Sequence, residues 1–532
     1  MKTNPNKLWI TVIALGWLFD FLFWKKPAGV NFAIFVAFVV GAAFYLLLSD
    51  GLRPNRNSLL TLPILTFFAI ITFVRAEPMT TFLAYTFTLL SMTVLAITYL
   101  GGRWIQYAIS DYVGKFLLLV ASVIARPLTF AGEVRKLQAE AGVMPPKRNI
   151  WPIVRGVVIA LPIVAIFASL LASADLVFGQ KLDTFIELFN LEKLPEYIFR
   201  LIYILVIGYA LAGVILHAAA QSTDEKLAGE EKTLVPAFLG FVESAIVLGS
   251  VAVLFTAFVV IQFQYFFGGQ TNIHIDGYTY SEYARRGFGE LVTVAFFALL
   301  MLLILSAITR REREFQRRVF SGLGVAIVAL VLVMLVSAYQ RLVLYEAAYG
   351  FSRLRTYTHV FLIWVGLLMI ATLVLEILRK ERAFALAAVI ASLGFAISLP
   401  LLNVDAFIVR QNIQREIRAG KNADVVDLDA QYFVDLSDDA VPTLVSALQT
   451  PSLPDSVKDK VAASLACIRY TRGQSDEQLP WQSFHFSHFT ADRALDSVKQ
   501  TLDSYKIHST DWPATVTTPE GNEFSCNQYY YD

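Results

Sequence analysis

Apolar runs of about 20 residues recur through the first 403 residues of this chain, and they constrain its fold more than any other feature. A helix of that length spans the hydrocarbon core of a bilayer, where every backbone polar group must be satisfied within the protein. We identify eleven runs: 8–24, 29–48, 58–74, 79–100, 151–172, 197–219, 236–266, 291–309, 319–344, 358–378 and 383–403. The sequence therefore predicts an all-α polytopic membrane protein, a bundle of about eleven transmembrane helices.

The composition agrees with this class of protein. Hydrophobic residues make up 56% of the chain and charged residues only 16%, against about 25% charged in soluble domains. The net charge of +1 gives no indication of a nucleic-acid partner. The first run contains Asp20, is followed by Lys25 and Lys26, and lacks a small-residue cleavage site. We expect it to remain as a membrane anchor rather than be removed as a signal peptide.

The distribution of lysine and arginine predicts the orientation. If the N-terminus is cytoplasmic, the inside segments carry twenty-one basic residues and the outside loops carry nine. Cytoplasmic loops are enriched in basic residues. An odd number of spans then puts the C-terminus on the extracytoplasmic side.

The composition changes after Leu402, which divides the chain into a bundle (1–403) and a soluble domain (404–532). The second part has nineteen acidic and eleven basic residues, helical periodicity and no further spanning run. It predicts a mostly helical extracytoplasmic domain. The only cysteines, Cys467 and Cys526, both lie in it. Disulfides persist outside the cytoplasm, so a bridge between them and two unpaired buried thiols are both open.

Two segments between the runs have an amphipathic pattern. Residues 104–124 carry Asp111 and Lys115 among apolar residues, and residues 175–196 alternate apolar and acidic positions at helical spacing. Both predict helices that lie in the membrane interface. The first segment is alternatively a twelfth span, which would reverse the orientation of everything after it.

Ionisable residues within spans are costly, and each is a functional hypothesis. Asp20 lies in the outer half of the first run, and Glu243 lies about two turns inside the run 236–266. We expect Asp20 to face an external site and Glu243 to face the bundle interior. Arg155 and Arg200 lie close to their helix starts, where a long side chain reaches the headgroups.

Three stretches rich in arginine, tyrosine and acids lie on the predicted external side: Tyr278–Leu291, Gln340–His359 and Asn403–Asn412. Arginine presents a planar fork of donors that suits phosphate or carboxylate. One interpretation is therefore a ligand site for an anionic lipid headgroup or a lipid-linked phosphate. The other is that these residues pair with one another and lock the helix ends to the C-terminal domain. The candidate residues are Glu282, Arg285, Arg286, Arg341, Glu346, Arg353, Arg355, Asp405 and Arg410.

No sequence motif identifies a catalytic residue. The chain has no GxxxxGK[ST] loop, no HExxH and no GxSxG. His485 and His488 lie three residues apart, but no cysteine or carboxylate cluster lies beside them, so we expect no metal site. The sequence gives no sign of a cofactor and favours a protein that is not an enzyme.

Several stretches together resemble a family of bacterial multispan membrane proteins catalogued only as a domain of unknown function. They are LFDFLFWKKPAGVNFAIF, YSEYARRGFGEL, RLVLYEAAYGFSRLRTYT, NVDAFIVRQNI and DLDAQYFVDLSDDAVPTL. The resemblance covers nearly the whole chain. It implies a bacterial envelope protein with many spans, which we expect to lie in the inner membrane, and it transfers no activity and no catalytic residue.

The function therefore stays open among three classes. The sequence favours a non-enzymatic scaffold, binding or sensing protein of the envelope, whose external domain (404–532) meets a partner or ligand. The alternatives are a transporter or lipid-handling protein, and a membrane-embedded transferase. Both alternatives would hold an anionic lipid headgroup or a lipid-linked phosphate at the external arginines.

Overall fold

A computed structural model describes residues 5–140, 151–175, 177–181, 193–223, 227, 237–266, 288–419, 428–474, 479–509 and 513–526. Within these ranges the bundle is helical throughout, and large apolar side chains such as Ile10 and Trp17 cover its outer surface. That surface is typical of helices surrounded by lipid. The bundle helices are α1 (Pro5–Phe23), α2 (Val30–Ser49), α3 (Arg56–Leu59), α4 (Thr61–Val74), α5 (Pro78–Thr98), α6 (Ile109–Glu140), α7 (Trp151–Ala174), α8 (Leu194–Ala220), α9 (Phe241–Phe266), α10 (Phe288–Ile308), α11 (Glu314–Tyr349), α12 (Arg353–Ile377) and α13 (Phe384–Leu402).

Eleven helices of the described chain are long and apolar enough to cross a membrane, which confirms the predicted multispan helical fold and its count. Ten of them correspond to predicted runs, with α3 and α4 together forming one span. The eleventh is different. Residues 109–134 of α6 qualify, whereas the sequence predicts a helix in the membrane interface over 104–124. Of α7, only Pro162–Ala174 forms an apolar helix, and it is shorter than a full span.

The helix ends define two faces of the bundle. We call the end that carries the C-terminal domain the domain face, and the end that carries Arg310–Arg318 and Arg379–Arg382 the basic face. α5 and α8 end on the same side of the bundle, because the Gly101 N–H donates to the Ser222 carbonyl just after α8. This side is the basic face, since α5 begins at the domain face, where Asp439 binds the Ala76 and Glu77 N–H groups. α8 begins at the domain face, because Arg200 on its first turns pairs with Asp20 near the end of α1. The chain must therefore cross the membrane an odd number of times between α5 and α8.

The contacts of α6 lie toward the basic face at both of its ends. Near its start, Asp111 pairs with Arg382 in the turn between α12 and α13. Near its end, Phe130 and Val134 share a core cluster with Leu8, which lies at the basic-face end of α1.

The C-terminal domain packs helices against a small sheet around one apolar core. The core joins residues such as Phe433, Leu444, Leu465 and Val516, which are all inaccessible to solvent. A disulfide between Cys467 and Cys526 ties the longest helix to the end of the sheet. The elements are α14 (Val404–Ala419), α15 (Ala430–Val434), α16 (Val441–Leu448), α17 (Asp455–Gly473), α18 (Phe486–Ser497), α19 (Lys499–Leu502), and the antiparallel strands β1 (Lys506–His508), β2 (Thr515–Thr517) and β3 (Glu523–Ser525), in the order β1-β2-β3.

Candidate functional site

The junction between the bundle and the C-terminal domain is built around a buried ion pair. Arg353 at the start of α12 donates from Nε and Nη2 to the two carboxylate oxygens of Asp405, at 2.8 and 2.6 Å. Asp405 is fully buried. Its Oδ2 also accepts the Ser437 N–H at 2.7 Å. A buried carboxylate needs this level of compensation to remain charged. The pair therefore joins the bundle to the domain without leaving a free acceptor.

A second carboxylate of the domain binds the turn between α4 and α5. Asp439 Oδ2 accepts the backbone N–H groups of Ala76 and Glu77 at 2.8 and 3.0 Å. Glu77 in turn caps α5. Its carboxylate accepts the Met79 and Thr80 N–H groups at the positive end of the helix dipole. Burial raises the pKa of Asp439, and the hydrogen bonds offset only part of that rise.

The domain also touches the turn between α1 and α2 through its backbone. The Val30 N–H donates to the Phe484 carbonyl at 2.9 Å, and the Ser483 hydroxyl donates to the Pro27 carbonyl at 2.9 Å. A Cβ on Gly29 would lie 2.7 Å from the Phe484 oxygen. Only glycine allows the two backbones to approach this closely.

A histidine pair lies at the same junction. His488 donates to Asp438, which also accepts from Arg472. Burial acts to raise the pKa of Asp438, but these two donors outweigh it and hold the pKa below its ordinary value. The neighbouring His485 is buried, and burial, with the charge of His488, lowers its pKa to about 4. Among the described residues no cluster of three metal-ligating side chains occurs.

Beside the Arg353–Asp405 pair lies a cavity of about 630 Å³. Glu346, one turn before the end of α11, is 2% exposed and accepts His359 Nε2 at 2.5 Å through its Oε2. Its other oxygen, Oε1, has no hydrogen-bond partner among the residues that the structure describes. Arg415 and Arg418 of α14 line the other wall. The site therefore combines an unsatisfied buried acceptor with two guanidinium groups.

The other predicted ligand residues are distributed around these two arrangements. Arg355 donates to the Gly350 carbonyl and stacks 4.1 Å from the Tyr345 ring centroid. Arg341 is half-buried on α11, and Arg410 is exposed on α14. Glu282, Arg285 and Arg286 lie outside the described residues. The described members thus do not form one arginine cluster: Arg353 and Asp405 form the ion pair. Of the others, Glu346 lines the cavity, and Arg341, Arg355 and Arg410 lie outside both arrangements.

The two predicted intramembrane acids are both engaged by the protein. Asp20 pairs with Arg200 and accepts from Tyr203, so Arg200 is an ion-pair partner rather than a snorkelling residue. Glu243 lies in the first turn of α9 and not two turns inside the membrane. Its carboxylate accepts the Gly240 N–H at 2.7 Å. The run extends further than the helix because residues 237–240 pair with the end of α10 instead.

Three residues of the junction and the cavity, Asp439, Glu77 and His359, are not identified by the sequence pattern. A partial signal existed for Glu77, because Pro78 suits the first position of a helix and an acid is stabilised near a helix N-terminus. Asp439 begins no motif, and its partners lie more than 360 residues earlier. His359 is separated from Glu346 by the turn at Gly350, and pattern alone does not show that α11 and α12 pair there.

The chain matches a protein family, although searches of curated proteins and of solved structures find no match. Residues 62–447 match the family described as "Domain of unknown function (DUF4153)", and this range includes both the Arg353–Asp405 pair and the cavity. It covers more than half of the chain and ends within α16, so it takes in the first part of the C-terminal domain. The chain therefore belongs to this family of unknown function.

Proposed function

We propose that this protein is a non-enzymatic scaffold or binding protein of the bacterial inner membrane, which holds its C-terminal domain in a fixed orientation on the extracytoplasmic side. The observation that carries the proposal is the junction itself. Asp405 and Asp439 bind two separate parts of the bundle, and their polar groups are satisfied within the protein. Ion pairs saturated in this way favour fixing one body on another over chemistry on a substrate.

Two further observations support the extracytoplasmic orientation. The Cys467–Cys526 disulfide is typical of an oxidising compartment. The face opposite the domain carries the arginine-rich segment 310–318 and the segment 379–382, as cytoplasmic faces do.

Cysteine labelling tests the orientation. Ser456→Cys puts an exposed thiol on the domain, and Glu312→Cys puts one on the basic face. A membrane-impermeant maleimide added to cells with a permeabilised outer membrane should label Ser456→Cys and spare Glu312→Cys. The reverse pattern would refute the orientation.

Site-specific photo-crosslinking tests whether the C-terminal domain binds a partner in its fixed orientation. A photoreactive amino acid at Ser456 should give a discrete adduct with another polypeptide. That adduct should persist in Asp455→Ala, whose side chain is exposed, and disappear in Asp439→Ala, which loosens the junction. An adduct that is unchanged in Asp439→Ala would show that fixed orientation is irrelevant to the partner.

The lipid-handling alternative is favoured by one specific observation, the cavity beside Glu346. Its basic residues are Arg415 and Arg418, whereas Arg353 is already saturated by Asp405. A lipid function would therefore use this cavity rather than the arginine set given by the sequence.

A further inference from the structure

We propose that the cavity between the ends of α11, α12 and α14 binds the headgroup of an aminophospholipid, with its primary ammonium on Glu346 and its phosphate on Arg415 and Arg418. This lipid site is independent of the proposed scaffold function. Three walls of the cavity carry the inference, and each fits one part of such a molecule.

The acidic wall of the cavity is formed by Glu346, whose unpaired oxygen can accept a hydrogen bond from a ligand. Glu346 is almost fully buried, and within the described part of the chain its Oε2 is paired with His359 while its Oε1 has no partner. A buried carboxylate oxygen without a partner is costly, and most such groups in native proteins are satisfied. A primary ammonium carries N–H donors together with the opposite charge, so it forms the stronger, charge-assisted type of bond.

The basic wall of the cavity presents two guanidinium groups, those of Arg415 and Arg418. Arg415 lies against the end of α11, where its Nη1 donates to the Ala348 carbonyl at 2.8 Å. Burial, with a contribution from the charge of Arg355, lowers the pKa of Arg415. An anion in the cavity would stabilise the charged guanidinium. Arg418 is exposed at the same wall. Guanidinium groups bind phosphate through paired N–H donors.

The remaining wall is apolar and continues onto the lipid-facing surface. Tyr339 and Val343 line the cavity and are 39% and 43% exposed. α11 has 36 residues, a length of about 54 Å, which exceeds the hydrocarbon thickness of about 30 Å. Because its last turns also contact the C-terminal domain, where Arg415 donates to the Ala348 carbonyl, we infer that these turns lie at the level of the headgroups and that acyl chains can follow the helix from the cavity into the bilayer.

Other ligands satisfy only part of this arrangement. Free phosphate can donate an O–H group, but it has no positive charge, so its negative charge would be repelled by the Glu346 carboxylate. A choline headgroup has the positive charge but no N–H to donate. A glycerol headgroup offers hydroxyl donors without the positive charge. The ethanolamine type alone among these has the phosphate, the charge and the donors.

Native mass spectrometry of the full-length protein with defined lipids tests the proposal. The most direct series keeps the wild-type protein and changes only the ligand: phosphatidylethanolamine and its mono-, di- and trimethylated forms. Retention should fall stepwise, by about tenfold over the series, since each methyl group removes an N–H donor. Equal retention of the unmethylated and trimethylated lipids would overturn the proposal.

Variants then assign the preference to the cavity. Glu346→Gln should reduce retention of phosphatidylethanolamine to the level of the trimethylated lipid, whereas Glu312→Gln on the basic face should leave it unchanged. Stronger retention of phosphatidylglycerol than of phosphatidylethanolamine by wild-type protein would overturn the assignment, as would displacement of the lipid by inorganic phosphate. The lipid series decides the matter even if Glu346→Gln does not fold.

Discussion

Arg353 and Asp405 form a two-pronged ion pair across the junction, with the carboxylate completely buried and the guanidinium partly exposed. Removing Arg353 would leave a buried negative charge, which costs about 3–5 kcal/mol. Arg353→Ala should therefore strongly lower the thermal unfolding temperature of the detergent-solubilised protein. Arg410→Ala, an exposed change on α14, should have an effect within about 0.5 kcal/mol. Equal effects of the two changes would contradict this account of the junction.

His485 should make the stability of the domain depend on pH. Burial lowers its pKa to about 4, below the ordinary value of about 6.5, so the folded state favours the neutral ring. The stabilisation is complete above pH 6.5 and is lost as the pH falls from 6.5 toward 4. Melting curves of the solubilised protein at pH 7.5, 6 and 5 should show this loss.

His485→Gln should flatten that pH dependence, because no titrating ring remains at the position. His508→Gln removes an exposed histidine of the same domain and should keep the wild-type profile. An unchanged slope in His485→Gln would assign the pH dependence to other groups.

Gly29 should not tolerate a side chain. Gly29→Ala puts a Cβ 2.7 Å from the Phe484 carbonyl oxygen, so the loop at Ser483 must move away. We expect a cost of about 1–3 kcal/mol and faster hydrogen exchange at the Val30 N–H. Gly41→Ala in α2, where no atom lies within 4 Å of the added carbon, is the matched control and should be neutral.

The disulfide should contribute substantially to the C-terminal domain. It joins residues 59 positions apart, for which the chain-entropy estimate is about 4 kcal/mol. Cys467→Ala or reduction should therefore increase limited proteolysis within 428–526 and leave the bundle intact. Protease resistance equal to that of wild type would show that the core holds the domain without the bridge.

Only one of α6 and α7 is expected to cross the membrane, because the chain passes from the basic face to the domain face between α5 and α8. Both ends of α6 contact basic-face residues, so we expect α6 to lie along that face and α7 to cross. Lys136→Cys, exposed near the end of α6, should then be labelled from the same side as Glu312→Cys. Labelling from the domain side would mean that α6 is the span.

The spans were predictable because hydropathy reports burial in lipid directly. The run 197–219, for example, corresponds to Leu194–Ala220. The hydropathy pattern did not show which helices pack against each other or which of their side chains pair. Glu243 was placed too deep because apolar residues precede the true helix start at Phe241. Glu346 was a candidate, but its pairing with His359 depends on how α11 and α12 meet beyond Gly350. The order of residues along the chain does not contain that geometry.

The Asp439 contact also bears on the order of assembly. Asp439 lies 362 residues after Glu77. The turn between α4 and α5 is therefore synthesised long before the aspartate that accepts its N–H groups. Until then the Ala76 and Glu77 N–H groups must use water or a temporary partner. A domain that is synthesised after the described spans thus closes a contact at one of the first turns, so the bundle reaches its mature form only when the C-terminal domain has folded against it.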